Sequence, residues 1–181
     1  MKNLKMKIVF ALAILTSTFC LGQNKMVGGA EMYPTKTIVQ NALNSKDHTT
    51  LVAAVKASEL VEALSSEGPF TVFAPVNSAF EALPKGTVET LLKPENKEQL
   101  QAVLTYHVIS GKLNAKDVVS AIKKGGGKAE LKTLSGGVIT LMLDGDKVQI
   151  KDSKSNISTV TIADVEQSNG VIHVIDHVLL P

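Results

Sequence analysis

The spacing of apolar residues in this chain changes once, and that change constrains the fold more than any other feature. Through about residue 124 they recur mostly at helical intervals behind capping side chains, and from Ala129 onward they recur at every second position. Helices gathered in the first part and strands in the second do not suit the alternating β-α units of a parallel sheet. They point to an α+β domain.

In the helical part, Ile38, Val39, Ala42 and Leu43 form a stripe behind Thr37. Leu51, Val52 and Val55 form another behind Thr49 or Thr50, and Leu60, Val61 and Leu64 follow Ser58 until Gly68-Pro69 breaks the pattern. Residues 70–74 alternate and read as a strand ended by Pro75. Asn77 is expected to cap a short helix holding Phe80 and Leu83, and Thr87 another with Val88, Leu91 and Leu92. A longer helix is predicted over 95–104, then a strand over 106–109. Asn114 with Asp117 opens a further helix through Val118, Val119 and Ile122, which Gly125-Gly126-Gly127 ends. Strands are predicted over 130–134, 138–143, 147–151, 157–165 and 171–180. Asp144-Gly145 and Asn169-Gly170 read as hairpin turns, where positive φ is needed at the central positions.

At the N-terminus Lys2, Lys5 and Lys7 precede an apolar run over 8–15, and Cys20 and Gly22 stand three and one positions ahead of Gln23. This is the layout of a secretory signal peptide over 1–22. The run is too short to span a bilayer, and Phe19 stands where a lipoprotein needs a small residue. The expected mature chain has no membrane span and, with Cys20 removed, no thiol. Residues 23–34 read as a mobile linker and 35–181 as one domain, with 44% hydrophobic residues enough for a single core.

Three blocks carry more specific information. Phe70-Thr71-Val72-Phe73-Ala74-Pro75-Val76-Asn77-Ser78-Ala79-Phe80 is answered near the C-terminus by Asn169-Gly170-Val171-Ile172-His173-Val174-Ile175-Asp176-His177-Val178-Leu179-Leu180-Pro181, and between them stands Tyr106-His107-Val108-Ile109 followed by Gly111-Lys112-Leu113. In this order the blocks resemble the signature of the fasciclin-like domain family, over residues 35–181. The resemblance implies a wedge-shaped β-sandwich flanked by helices, and a secreted or periplasmic adhesion or matrix-binding module with no catalytic centre. It also marks candidate binding residues. Tyr106-His107 matches a motif implicated in adhesion by several relatives. Asp164-Val165 stands where animal relatives carry an integrin-binding Asp-Ile pair, although Ile162-Ala163 precede it here in place of Asn-Lys or Glu-Pro, and Val165 replaces Ile.

Read from the residues alone, Tyr106 and His107 in a strand point to opposite faces. One then packs inward, and His107 is expected to bond Asn77 or a nearby backbone group. Asp164 reads as a polar residue at a strand end and Val165 as core.

Other patterns are weaker. His173 and His177 have the spacing of a zinc helix but fall in a predicted strand, which would place them roughly 13 Å apart. Asp144, Asp146, Asp152 and Asn156 are too few and wrongly spaced for a calcium loop. Gly125-Gly126-Gly127-Lys128 lacks the Ser or Thr of a phosphate loop. No Gly-x-Ser-x-Gly elbow is present, and Asn156-Ile157-Ser158 is a glycosylation sequon. No metal, cofactor or enzymatic activity is expected. All 19 basic residues are lysine, and without Lys2, Lys5 and Lys7 the charges nearly balance, so nucleic acid is not an expected partner. The expected partner is a cell-surface or matrix protein or a polysaccharide, engaged by a monomer or weak homodimer, because a single weak site needs clustering or a repetitive target. The alternative is a carrier of a small apolar ligand such as a carotenoid or lipid; the resemblance implies this for carotenoids, with which some relatives are associated.

Overall fold

Thr37 starts the first helix as its spacing predicts. Its Oγ1 accepts the Gln40 N–H at 3.3 Å, and Gln40 Oε1 accepts the Thr37 N–H at 2.9 Å. The computed structural model describes residues 24–181, so the signal peptide expected over 1–22 lies outside the described residues. The helices are α1 (Ile38–Ala42), α2 (Thr49–Ala57), α3 (Val61–Ser65), α4 (Asn77–Glu81), α5 (Thr87–Leu91), α6 (Lys97–Tyr106) and α7 (Ala115–Lys124), with 3₁₀ turns at Lys46–His48 and Pro94–Asn96. The strands are β1 (Met26–Val27), β2 (Ala30–Glu31), β3 (Phe70–Pro75), β4 (Val108–Ser110), β5 (Lys128–Lys132), β6 (Val138–Asp144), β7 (Lys147–Lys151), β8 (Ile157–Gln167) and β9 (Gly170–Ile175).

Seven strands form one sheet in the order β4-β3-β9-β8-β7-β6-β5. Only β3 and β9 are parallel, paired from Phe70↔Gly170 to Pro75↔Ile175. Two blocks far apart in sequence thus lie side by side inside the sheet. The sheet curls until its two ends approach, and the Leu134 N–H, just past β5, donates to the Val108 carbonyl of β4 at 2.8 Å. The fold is mixed α+β.

Alternation along the strands divides the core in two. Val72, Ala74, Val108, Ile172 and Val174 face helices α1, α2, α3 and α6, meeting Ile38, Leu51, Val55, Leu64 and Leu104. Phe73, Ile109 and Ile175 face the interior of the curl, where they meet Ile139, Leu141 and Ile150 from β6 and β7 and Val118 and Ile122 from α7. Among the described residues, the other side of β5, β6 and β7 leaves Lys128, Lys132, Lys147 and Val138 exposed, with Thr140 half-buried between them.

Several expectations need correction. The segment read as a mobile linker carries the β1-β2 hairpin, and its Val27 and Met32 are buried in the helix-facing core. Tyr106 and His107 do not lie in a strand. Tyr106 ends α6, His107 caps it, and the strand begins at Val108. The helical stripe Leu100, Val103, Leu104 continues to His107, four residues after Val103, and this outweighs the β-branched pair that follows. Both hairpin turns are displaced by one residue: Asp144↔Lys147 pairing leaves Gly145-Asp146 in the turn, with Gly145 at φ 58°, and Gln167↔Gly170 pairing leaves Ser168-Asn169. Gly170 meets a different requirement, since a Cβ there would sit 2.1 Å from the Phe70 carbonyl oxygen of the neighbouring strand. The last strand stops at Ile175, so His177 is outside it, although Val178 and Leu179 remain buried.

Candidate functional site

Tyr106 and His107 sit where α6 hands over to β4, and both are buried, with exposures of 1% and 3%. Tyr106 inserts its ring into the interior of the curled sheet. Its hydroxyl donates to the Val138 carbonyl at 2.8 Å and accepts the Ser153 N–H at 3.0 Å. Gly137 makes room for that ring, because a Cβ at 137 would lie 2.6 Å from it.

His107 bonds backbone groups and not Asn77. Its Nδ1 donates to the Val103 carbonyl at 2.7 Å, and its Nε2 accepts the Leu179 N–H at 2.9 Å. Each ring nitrogen has one role, which suits only the neutral imidazole. Burial pushes its pKa down to about 4.

Asn77 does not cap its own helix. Its Oδ1 accepts the Thr50 N–H at 3.0 Å, so it caps the first turn of α2, and its Nδ2 donates to the Lys46 carbonyl at 2.8 Å. Asn169 works similarly at a distance: Oδ1 accepts the Ile38 N–H at 3.0 Å, and Nδ2 donates to the Leu64 and Ser66 carbonyls at 2.9 and 2.8 Å. One buried side chain thereby joins the turn before β9 to the start of α1 and the end of α3.

Asp164 lies within β8 and not at its end. The register of β8 against β9 shifts on either side of Ile162, and Asp164 takes φ 53° beside that irregularity. Its Oδ1 accepts the Ala115 N–H, the first of α7, at 2.6 Å. Its own N–H donates to His173 Nδ1 at 3.3 Å, and His173 Nε2 donates to the Leu113 carbonyl at 2.8 Å. His173 is therefore a second buried neutral imidazole, its pKa lowered chiefly by burial, and its ring stacks on Phe73 at a centroid distance of 5.7 Å. Val165 is core at 1% exposure.

The structure does not gather the four candidate binding residues into one exposed site. Tyr106 and His107 serve the α6–β4 junction, Asp164 serves the β8–α7 junction, and three of the four present almost no surface. The sequence did not show that His173 meets the β8–α7 junction or that Asn169 ties α1 to α3; both are buried polar residues, and a buried polar group requires a partner.

The remaining polar motifs are also engaged. Asp152 Oδ1 accepts the Lys154 and Asn156 N–H groups at 2.9 and 2.8 Å, and its Oδ2 accepts the Leu180 N–H at 3.0 Å and the Asn156 side-chain amide at 2.9 Å. The sequon asparagine is thus held by Asp152. His177 Nδ1 lies 2.9 Å from its neighbour Asp176. Among the described residues no group of three or more His, Cys, Asp or Glu could hold a metal ion, and no helix is long and apolar enough to cross a membrane.

Two apolar features stand out at the surface of the described residues. A cavity of about 80 Å³ opens between α1, α2 and α3, lined by aliphatic side chains including Val39, Leu43, Leu51, Val55, Leu64 and Val72. On the opposite side, the uncovered face of β6 and the start of β8 exposes Val138 and Ile157 to 48% and 47% among lysines.

A fasciclin domain model matches residues 46–181. The chain is 54% identical over 145 residues to Protein sll1483 of Synechocystis sp., covering 80% of this chain and 73% of that protein. It is 34% identical over 146 residues to periostin of Homo sapiens, covering 80% of this chain but 16% of periostin. Among solved structures, a FAS1 domain pair from the insect cell adhesion molecule Fasciclin I superposes with a TM-score of 0.72 at 21% identity, covering 81% of this chain and 51% of the pair.

Proposed function

Because this chain belongs to the fasciclin domain family, we propose that it is an extracellular adhesion or matrix-binding module, and that the contact is made by the uncovered face of β5, β6, β7 and the start of β8. The observation that carries this reading is the exposure of Val138 and Ile157 on that face, at 48% and 47%. Single exposed hydrophobes are ordinary. Two on one face that no element covers are what a contact surface requires. Tyr106, His107 and Val165 support adhesion from within, by fixing the strands that display the face. Asp164 does so by holding α7 against β8.

The test is to substitute Val138→Asp and Ile157→Asp separately and measure binding of the secreted protein to its host's cells and matrix, alongside the urea midpoint. Reduced binding at an unchanged midpoint supports the reading, and unchanged binding in both variants refutes it.

A second reading, carriage of a small apolar ligand, draws on the aliphatic cavity between α1, α2 and α3. At about 80 Å³ it is smaller than the roughly 150 Å³ that admits benzene, so it accepts the end of an acyl chain and not a whole carotenoid. Solvent extraction of protein purified from its host, followed by mass spectrometry, tests this. A stoichiometric lipid or pigment would favour the carrier.

A further inference from the structure

The outward positions of β5, β6 and β7 are fixed by the register. Ile139, Leu141, Val148 and Ile150 point into the curl, so Lys128, Glu130 and Lys132 on β5, Val138, Thr140, Met142 and Asp144 on β6, and Lys147, Gln149 and Lys151 on β7 point out. Lys132 pairs across from Val138, Lys151 from Thr140, Lys128 from Met142 and Lys147 from Asp144. The four lysines therefore alternate between the two outer strands, each one register step beyond the last. With strands 4.8 Å apart and a two-residue step near 6.8 Å, successive Cα atoms lie about 12 Å apart in a zigzag.

Two properties of this zigzag bear on its partner. First, its ammonium groups are not neutralised within the protein: the ion pairs among the described residues are Lys97–Glu59, Lys112–Glu166 and His177–Asp176, none of them on this face. Of the two acids present, Asp144 stands at one end and already accepts from Gln149 at 3.0 Å. Glu130 is left against four cations. Second, the strip between the lysines is neutral and half apolar, formed by Val138, Thr140 and Met142. A row of methyl, thioether and hydroxyl groups flanked by spaced point charges suits an extended polymer that has uncharged surfaces and periodic anionic groups.

We propose that this face docks an acidic polysaccharide, a sugar chain carrying carboxylates or sulfates. The inference rests on the adhesion reading above and names its partner. Sugar rings lie on Val138, Thr140 and Met142, and their anionic groups meet the lysines on either side. Lysine suits this task because an ammonium on a flexible stem tolerates variable spacing, whereas fork-like recognition of phosphate would call for arginine, of which the chain has none. A repetitive polymer also offers many overlapping sites to one weak module, which raises retention without oligomerisation.

The test uses the secreted protein on immobilised alginate as the carboxylated probe, dextran sulfate as the sulfated one, neutral dextran, and double-stranded DNA. The variants are Lys132→Gln/Lys151→Gln on the face and Lys56→Gln/Lys85→Gln away from it. Retention on alginate or dextran sulfate but not dextran is expected at low salt, fading as salt rises, with the face variant weakened on the order of tenfold and the off-face variant unchanged. Alginate alone, or dextran sulfate alone, identifies the anionic group. Equal binding by both variants, no binding to either acidic probe, or DNA held more tightly than either overturns the proposal. The Val138→Asp and Ile157→Asp cell-binding result separates the two levels. If those variants lose cell binding while neither acidic polymer is bound, the face is a contact surface with another occupant. If they do not, the adhesion reading itself fails.

Discussion

His107 Nε2 accepts the backbone N–H of Leu179 at 2.9 Å, joining the C-terminal cap of α6 to the segment that follows β9. On the other side of the ring, Nδ1 is fixed on the Val103 carbonyl. Through His107, the Tyr106-His107 pair is thus a tie between two distant parts of the core.

Replacing His107 with Ala is expected to destabilise by about 1–3 kcal/mol, since it leaves the Leu179 N–H and the Val103 carbonyl buried without partners. Urea midpoint and cell binding should be measured on one preparation. Binding per folded molecule should be unchanged, and normal stability with weakened binding would return His107 to the contact surface.

Acid should destabilise through the buried histidines. His107 has a folded pKa of about 4 against an unfolded value near 6.5, so between these the unfolded chain binds more protons. Its contribution is complete above pH 6.5 and declines as pH falls through 4, by about 3 kcal/mol in all. His173, also lowered by burial, acts in the same direction. Urea midpoints between pH 7.5 and 4 should fall in wild type and fall less steeply in His107→Gln. Parallel curves would mean that the ring does not remain neutral.

At Asp164 two requirements can be separated. Asp164→Asn keeps an acceptor for the Ala115 N–H and tolerates φ 53°, so it should cost little. Asp164→Ala loses the acceptor and strains the backbone, at about 1–3 kcal/mol. Equal midpoints for the two variants would show that the α7 contact contributes nothing.

Asn77→Ala should cost about 0.5–2 kcal/mol through loss of the cap. The affected helix is α2, whose Thr50 N–H loses its acceptor, and not the helix containing Asn77. Amide hydrogen exchange should therefore accelerate at Thr50. Faster exchange confined to α4 would contradict the assignment.

Periodicity alone determined most elements of this chain, because a helix or strand face must be apolar wherever it meets the core. The stripe Ile38, Val39, Ala42 and Leu43 behind Thr37 announced α1, and the alternation in residues 138–143 and 147–151 announced β6 and β7. The family blocks marked β3 and β9 as notable segments. Their parallel pairing was not legible, since adjacency of strands separated by nearly the whole domain leaves no mark in either one.

Only the tertiary structure decided which polar groups answer one another. Asn77 was expected to serve the helix it begins, yet it caps α2; Asn169 lies in a turn as expected, but its side chain also binds α1 and α3; Tyr106 and His107 were expected to lie in a strand, yet they close a helix. For the two asparagines the deciding partners lie far away along the chain. Hydrophobic pattern is a property of a segment and can be read from it, but a buried donor takes whichever acceptor folding brings within 3 Å.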